Sequence, residues 1–216
     1  MLNGAHSALA YLGGLAGHEY IAQALADDVL AACAHNLMAC DAAPTLDAPP
    51  GMELGEYARQ VIRRFGNTAL RHRCAQVAMD GSQKLPQRLL GTIADRIAAG
   101  GTPVWAGLAV AAWMRHVWTG RADDGRLFGV DDPMAGLFRA RLAAAGVAAE
   151  AAGTDIAPPG AGQADAVVTA LLGVREVFGP LTDSGVFRDL LTDHLGRLAR
   201  DGARRTAAAL LNAGAQ

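Results

Sequence analysis

The chain has 216 residues, of which 51% are hydrophobic and only 5% aromatic, and its 19 basic and 21 acidic side chains leave a net charge of −2. That length suits one domain or two small ones. The near-neutral balance supplies no drive toward nucleic acid or an acidic membrane surface, and the most apolar run, 103–113, meets Arg115 and His116 too soon to span a bilayer.

Cys33, Cys40 and Cys74 are an odd number without metal-like clustering and read as reduced thiols of a cytoplasmic protein. No basic segment followed by an apolar one opens the chain, so no secretory signal is expected.

In chain order, Asn3 is placed to cap a helix carrying Ala8, Leu9, Tyr11 and Leu12, which Gly13, Gly14 and Gly17 weaken or end. A short helix over 19–25 follows. Asp27 and Asp28 put negative charge at the start of a helix bearing Val29, Leu30, Cys33, Leu37 and Met38. Three prolines mark 41–51 as a loop. Residues 53–65 are amphipathic, with Leu54, Tyr57, Val61, Ile62 and Phe65 on one side and Arg59, Arg63 and Arg64 on the other.

Asn67 is read as the cap of a helix that turns Leu70, Cys74 and Val77 inward. Asp80-Gly81-Ser82 breaks the chain, with Gly81 suited to a position past a helix end and Ser82 to an N-cap. Pro86 then falls in the first turn of a helix carrying Leu85, Leu89, Ile93 and Ile97. Gly100-Gly101 stops it, and Thr102-Pro103 opens a helix over 104–118 that is apolar nearly all round and should be the buried centre.

A polar loop over 119–131 leads to a second cap-and-proline signal, Asp132-Pro133. Another loop is expected over 152–162, followed by helices near 165–172, 184–198 and 202–211. No segment alternates with period two and no repeat recurs. The expectation is an all-α, single multi-helical domain of roughly ten helices.

Three groups of residues invite a chemical reading. Asn3 and His6, three apart, share a helix face. They form either a capping amide beside a first-turn histidine or a carboxamide and a neutral imidazole placed to grip a substrate oxygen. A histidine near a helix N-terminus is disfavoured as a cation, which favours neutrality.

In Asp80-Gly81-Ser82-Gln83-Lys84-Leu85-Pro86-Gln87-Arg88, Lys84 falls in a first helical turn, where the dipole disfavours it by ~0.3–1 kcal/mol. It is either a tolerated surface lysine or an ammonium aimed with backbone N–H groups at an oxygen-rich substrate. His72 lies among arginines, and His116 closes the apolar helix where it could line a pocket. No pair of histidines or carboxylates has metal-ligand spacing. Gly13-Gly14-Leu15-Ala16-Gly17 is not a dinucleotide fingerprint, because the spacing differs and no strand precedes it.

The segment from Leu2 to Gly13, LNGAHSALAYLG, resembles the opening of the C-terminal domain of the mannitol dehydrogenase family, the long-chain polyol-specific secondary alcohol dehydrogenases. MDGSQKLPQR, from Met79 to Arg88, resembles a second block of that family. The resemblance implies a helical domain similar to the C-terminal domain of 6-phosphogluconate dehydrogenase, following an N-terminal Rossmann domain that would bind NAD or NADP.

The resemblance also implies the motif Lys-x-x-x-x-Asn-x-x-His. Asn3 and His6 match its last two members, and the general-base lysine would fall just upstream of Met1. By the same resemblance Asn3 would stabilise charge on the reacting oxygen, His6 would hold it, and Lys84 and Gln76 would bind the rest of a sugar alcohol or hexuronate, without a metal. The neutral Gln76 tilts the expectation toward the uronate-reducing branch. The domain alone would be inactive. The alternative is a helical interaction or dimerisation module in which these residues have no chemical role.

Overall fold

The computed structural model describes residues 1–66, 71–147 and 161–214. Its helices are arranged around α8, Val104–Thr119, whose side chains are buried from Trp105 through Thr119. A helix apolar on every face has to be enclosed on every face, and the neighbours do this. α1, Leu2–Leu15, lies along α8 and is buried from Ser7 to Leu15. α12, Gly185–Asp201, packs along α8 through Phe187, Leu191, Leu195 and Leu198, with Leu190 leaning over Gly107 where any Cβ would meet its Cδ2 at 2.6 Å. Among the described residues there is no strand; two isolated bridges, Tyr20 with Arg73 and Arg121 with Leu127, are the only β pairing.

The remaining helices form a shell. α2, Ile21–Ala26, and α3, Asp28–Asn36, lie against α1, and α4, Leu54–Phe65, rests on α2 and α3. α5, Cys74–Ala78, also packs on α1. α6, Gly81–Leu85, runs through a π-helical turn at Pro86–Leu90 into α7, Gly91–Ala98. α9, Ala135–Ala144, α10, Ala164–Leu172, the short α11, Arg175–Phe178, and α13, Ala203–Ala213, complete the all-α fold.

Several local expectations are corrected. α1 does not end at Gly13-Gly14 but continues to Leu15. Both glycines serve close approach: a Cβ on Gly13 would lie 2.5 Å from the Ala24 Cβ, and one on Gly14 only 2.0 Å from the Phe128 ring. Tertiary packing thus overrides the helix-weakening tendency of glycine.

The start of α8 is capped by neither Thr102 nor proline at its first position, since Pro103 is the flanking residue and offers no side-chain cap. Asp41, expected in a loop, is instead buried at the end of a π-helical extension of α3, Leu37–Ala42. Its Oδ2 accepts from the N–H groups of Trp105 at 2.8 Å and Ala106 at 2.7 Å.

Asp27, expected only as negative charge at this helix start, caps α3 by accepting from Val29 N at 3.0 Å, and Ser184 caps α12, accepting from Phe187 N at 3.3 Å. The expected cap Asn67 and the inward Leu70 lie outside the described residues, as does most of the 152–162 loop. Residues 71–73 are extended rather than helical, because Ile21 N donates to His72 O at 2.9 Å and Cys74 N donates to Glu19 O at 2.8 Å. No described helix is long and apolar enough to cross a membrane.

Candidate active site

The first turn of α1 carries Asn3 exposed and His6 half-buried, three residues apart on one face. Asn3 is not the cap it was expected to be. Met1 occupies the flanking position, no side chain caps the helix, and Asn3 sits within the first turn.

His6 stacks on Phe65, with ring centroids 4.8 Å apart and planes 19° apart, and its ring lies 5.7 Å from that of His72. Its Nε2 is shielded from solvent and has no hydrogen-bond partner. Burial, then the neighbouring His72, Arg88 and Lys84, push its pKa down to about 4. The imidazole is therefore neutral near pH 7, chiefly because it is desolvated and less because of where it stands on the helix.

The second block folds tightly. Asp80 adopts a left-handed conformation, φ 55°, and precedes α6, so neither Gly81 nor Ser82 has the terminal role expected of it. Gly81 is needed for proximity: a Cβ there would lie 2.2 Å from Trp113 Nε1 and 2.7 Å from the Tyr11 hydroxyl. Ser82 is buried inside α6, and Asp132 holds it twice. Ser82 N donates to Oδ2 and Ser82 Oγ to Oδ1, each at 2.7 Å. Pro86 lies beyond the first turn, and the π-helical winding of Pro86–Leu90 accommodates its missing N–H.

Lys84, the fourth residue of α6, is still in the opening turn, and backbone carbonyls there compensate its charge. Its ammonium donates to the carbonyls of Met79 at 2.5 Å and Val77 at 3.4 Å, and Asp80 Oδ2 is 3.7 Å away. It closes the C-terminal end of α5, where a cation is favoured. An ammonium has three donors, so one remains after these two bonds.

Arg88, which the spacing singled out only as part of its block, reaches α1. Its Nη1 donates to Ser7 Oγ at 3.0 Å, and its carbonyl lies 2.8 Å from where a Cβ on Gly4 would stand. α1, α4, the extended segment before α5 and the α6 turn thus bring His6, Phe65, His72, Lys84 and Arg88 into one neighbourhood.

Gln76 is exposed and lines a cleft of about 630 Å³ with Arg73, Met79, Phe128 and Asp131. Met79 lines this cleft, and its carbonyl accepts from Lys84. His116 does not reach a surface pocket. It is 3% exposed, its ring lies 4.4 Å from Phe128 and 5.8 Å from Tyr11, and burial pushes its pKa down to about 4. His194 is likewise a core histidine, its Nε2 3.1 Å from Val104 O.

Phe65 and Asp132 were legible in the sequence only as an apolar-face residue and a cap. Nothing in the spacing announced that one would meet His6 and the other Ser82.

An all-helical domain with this central buried helix, and with these two blocks brought together at one end of α1, defines the class. The family profile for the mannitol dehydrogenase C-terminal domain matches residues 1–199. The chain belongs to that family.

It is 40% identical over 211 residues to D-mannonate oxidoreductase of Escherichia coli K12, covering 97% of this chain and 40% of that protein. It is 32% identical over 209 residues to mannitol 2-dehydrogenase of Phaeosphaeria nodorum, covering 96% of this chain and 33% of that one. Pseudomonas fluorescens mannitol 2-dehydrogenase, solved as a ternary complex with NAD and D-mannitol, superposes with a TM-score of 0.84 at 29% identity, over 98% of this chain and 39% of that chain. The chain therefore spans about two fifths or less of the length of these relatives.

Proposed function

We propose that residues 1–216 form the substrate-binding domain of an NAD(P)-dependent oxidoreductase that interconverts a sugar alcohol or aldonate with its keto sugar. A Rossmann domain, supplied by the part of the relatives' length that this chain does not span, binds the cofactor. The observation that carries this reading is the His6 Nε2: sheltered, neutral and without a protein partner, it lacks the oxygen that a substrate would supply.

The described residues contain no strand running into a glycine-rich turn and helix, so they fit the reacting end of a cofactor site and not its pyrophosphate cradle. The nicotinamide, when bound, accepts or delivers the hydride. The chain's own residues do the holding. His6 Nε2 hydrogen-bonds the reacting oxygen and fixes its position. The Asn3 carboxamide, on the same face, donates to that oxygen as negative charge develops on it.

The remaining donor of Lys84 takes a more distant hydroxyl or a carboxylate, and Gln76 contacts the far end of the sugar from the cleft. Lys84 and Arg88 make the surroundings of His6 cationic, which suits an anionic aldonate better than a neutral polyol. The identity to D-mannonate oxidoreductase and the neutral Gln76 favour the same branch. Three free thiols agree with a reducing, cytoplasmic setting.

The test is an assay of the enzyme at the relatives' full length against a panel of polyols and aldonates with NAD and NADP. His6→Ala should lower kcat by roughly 10²–10³-fold, and Lys84→Ala should raise KM by about tenfold with a smaller effect on kcat. Unaltered kinetics in both variants would favour the reading in which the domain serves only for interaction or dimerisation.

A further inference from the structure

The arrangement around His6 assigns a role to α4 that the proposed function leaves open. α4 is a surface helix. It buries only Ala58 and Val61, and two of the arginines on its outer face, Arg59 and Arg63, are paired with Glu56 at 2.9 Å. Yet it ends by laying the flat face of Phe65 on the imidazole, with planes within 19° and centroids 4.8 Å apart. Gly66 stops the helix at that point, its N–H donating to Ile62 O at 3.2 Å.

We infer that Phe65 is a positioning residue for the reaction: its ring fixes the plane of His6, keeps water from the imidazole, and so holds Nε2 ready for a substrate oxygen. This rests on the assignment of His6 to the substrate oxygen made above.

Three observations carry it. His6 makes no hydrogen bond through Nε2 that could set its orientation, so packing has to set it. The stack is close to parallel, the geometry in which a ring face restrains rotation about the last side-chain torsion. Finally, desolvation is the leading cause of the low pKa of His6, and Phe65 is the large apolar group in ring contact with it. The charged or titratable groups that act on the imidazole are His72 from the extended segment before α5, Lys84 from α6 and Arg88 from the π-helical turn. All three oppose its protonation, so removal of Phe65 admits water while leaving these neighbours in place.

The experiment compares Phe65→Leu, which keeps apolar bulk but loses the flat face, with Phe65→Tyr, which keeps both. The His6 imidazole is titrated by NMR in this 216-residue chain, and kcat and KM are measured in the full-length enzyme. Phe65→Leu should move the His6 midpoint upward from about 4 toward the ordinary histidine value. It should lower kcat by about tenfold with KM changed less than about threefold, and shift the acid limb of the kcat profile to higher pH. Phe65→Tyr should retain the midpoint and the rate.

If Phe65→Leu leaves the midpoint and the acid limb unmoved, or if the Leu and Tyr variants behave alike, Phe65 has only a packing role and the inference is overturned. The titration does not depend on turnover. A shifted midpoint in a protein inactive on every polyol and aldonate would refute the proposed function while sustaining the restraint of His6 by Phe65.

Discussion

The Asp41 carboxylate accepts from the backbone N–H of Trp105 at 2.8 Å, joining the end of α3's π-helical extension to the start of the central helix across 64 positions of sequence. The same oxygen takes Ala106 N at 2.7 Å, so one buried side chain satisfies two of the four donors a helix start leaves open. Asp41→Ala strands both donors in a site that is 2% exposed. The expected loss is about 2–3 kcal/mol, read as a fall in the urea midpoint with an unchanged m-value.

Asp132 plays a similar part for α6. Its two oxygens hold the N–H and the hydroxyl of Ser82, and Oδ1 also accepts from Met134 N at 2.8 Å. Asp132→Ala should destabilise by about 2–4 kcal/mol. It should also loosen the turn that carries Lys84, so that the full-length enzyme shows a raised KM. Asp132→Asn, which still offers one acceptor, should recover part of each.

Gly81→Ala tests close packing. The added methyl group has no room, with the Trp113 indole nitrogen 2.2 Å and the Tyr11 hydroxyl 2.7 Å from its position. Neither ring can swing aside, since each is 1% exposed. Overpacking of this kind costs about 1–3 kcal/mol, or roughly 2–12 °C in Tm for a chain of this length. Gly91→Ala, where nothing lies within 4 Å of the new carbon, should not lower Tm.

Acid should unfold the protein through its histidines. His6, His116 and His194 are each pushed down to about 4, desolvation being the largest cause in every case. Between pH 6.5 and 5 the unfolded chain takes up three protons that the folded chain refuses, so their contribution is present above that window and lost as pH falls through it. Asp41 acts in the opposite sense: burial raises its carboxyl to about 6, so the folded state gains a proton there that the unfolded state does not. Three groups against one leave stability falling as pH drops from 6.5 to 5. Asp41→Asn removes the opposing group and should make that fall steeper, as measured by urea unfolding at three pH values. An equal slope in both proteins would show that Asp41 titrates normally.

Much of the fold was legible because it is written locally. The four-residue spacing of Leu85, Leu89 and Ile93, the stripe through Phe187, Leu191, Leu195 and Leu198, and the apolar run from Trp105 to Trp118 each impose a helix and name its buried side. The helix starts at Asp27-Asp28 and near Ser184 were also read from the sequence, and there Asp27 and Ser184 act as caps within their own turns. The expectations that failed concerned glycines and termini. Gly13, Gly14 and Gly81 resemble breaks in a sequence, and only the neighbours Ala24, Phe128 and Trp113 reveal them as places of close approach. The start of α8 looked self-capped until Asp41 arrived from another element.

The candidate site divides in the same way. By itself the sequence determined that Asn3 and His6 share a face, because a helix places residues three apart side by side, and its two blocks carried the resemblance to the family. Only the tertiary structure decided what surrounds that face. Phe65 on the imidazole and Arg88 against Ser7 come from segments far apart in the chain. So does the neutrality of His6, because desolvation depends on everything packed around a ring and not on its position along a helix.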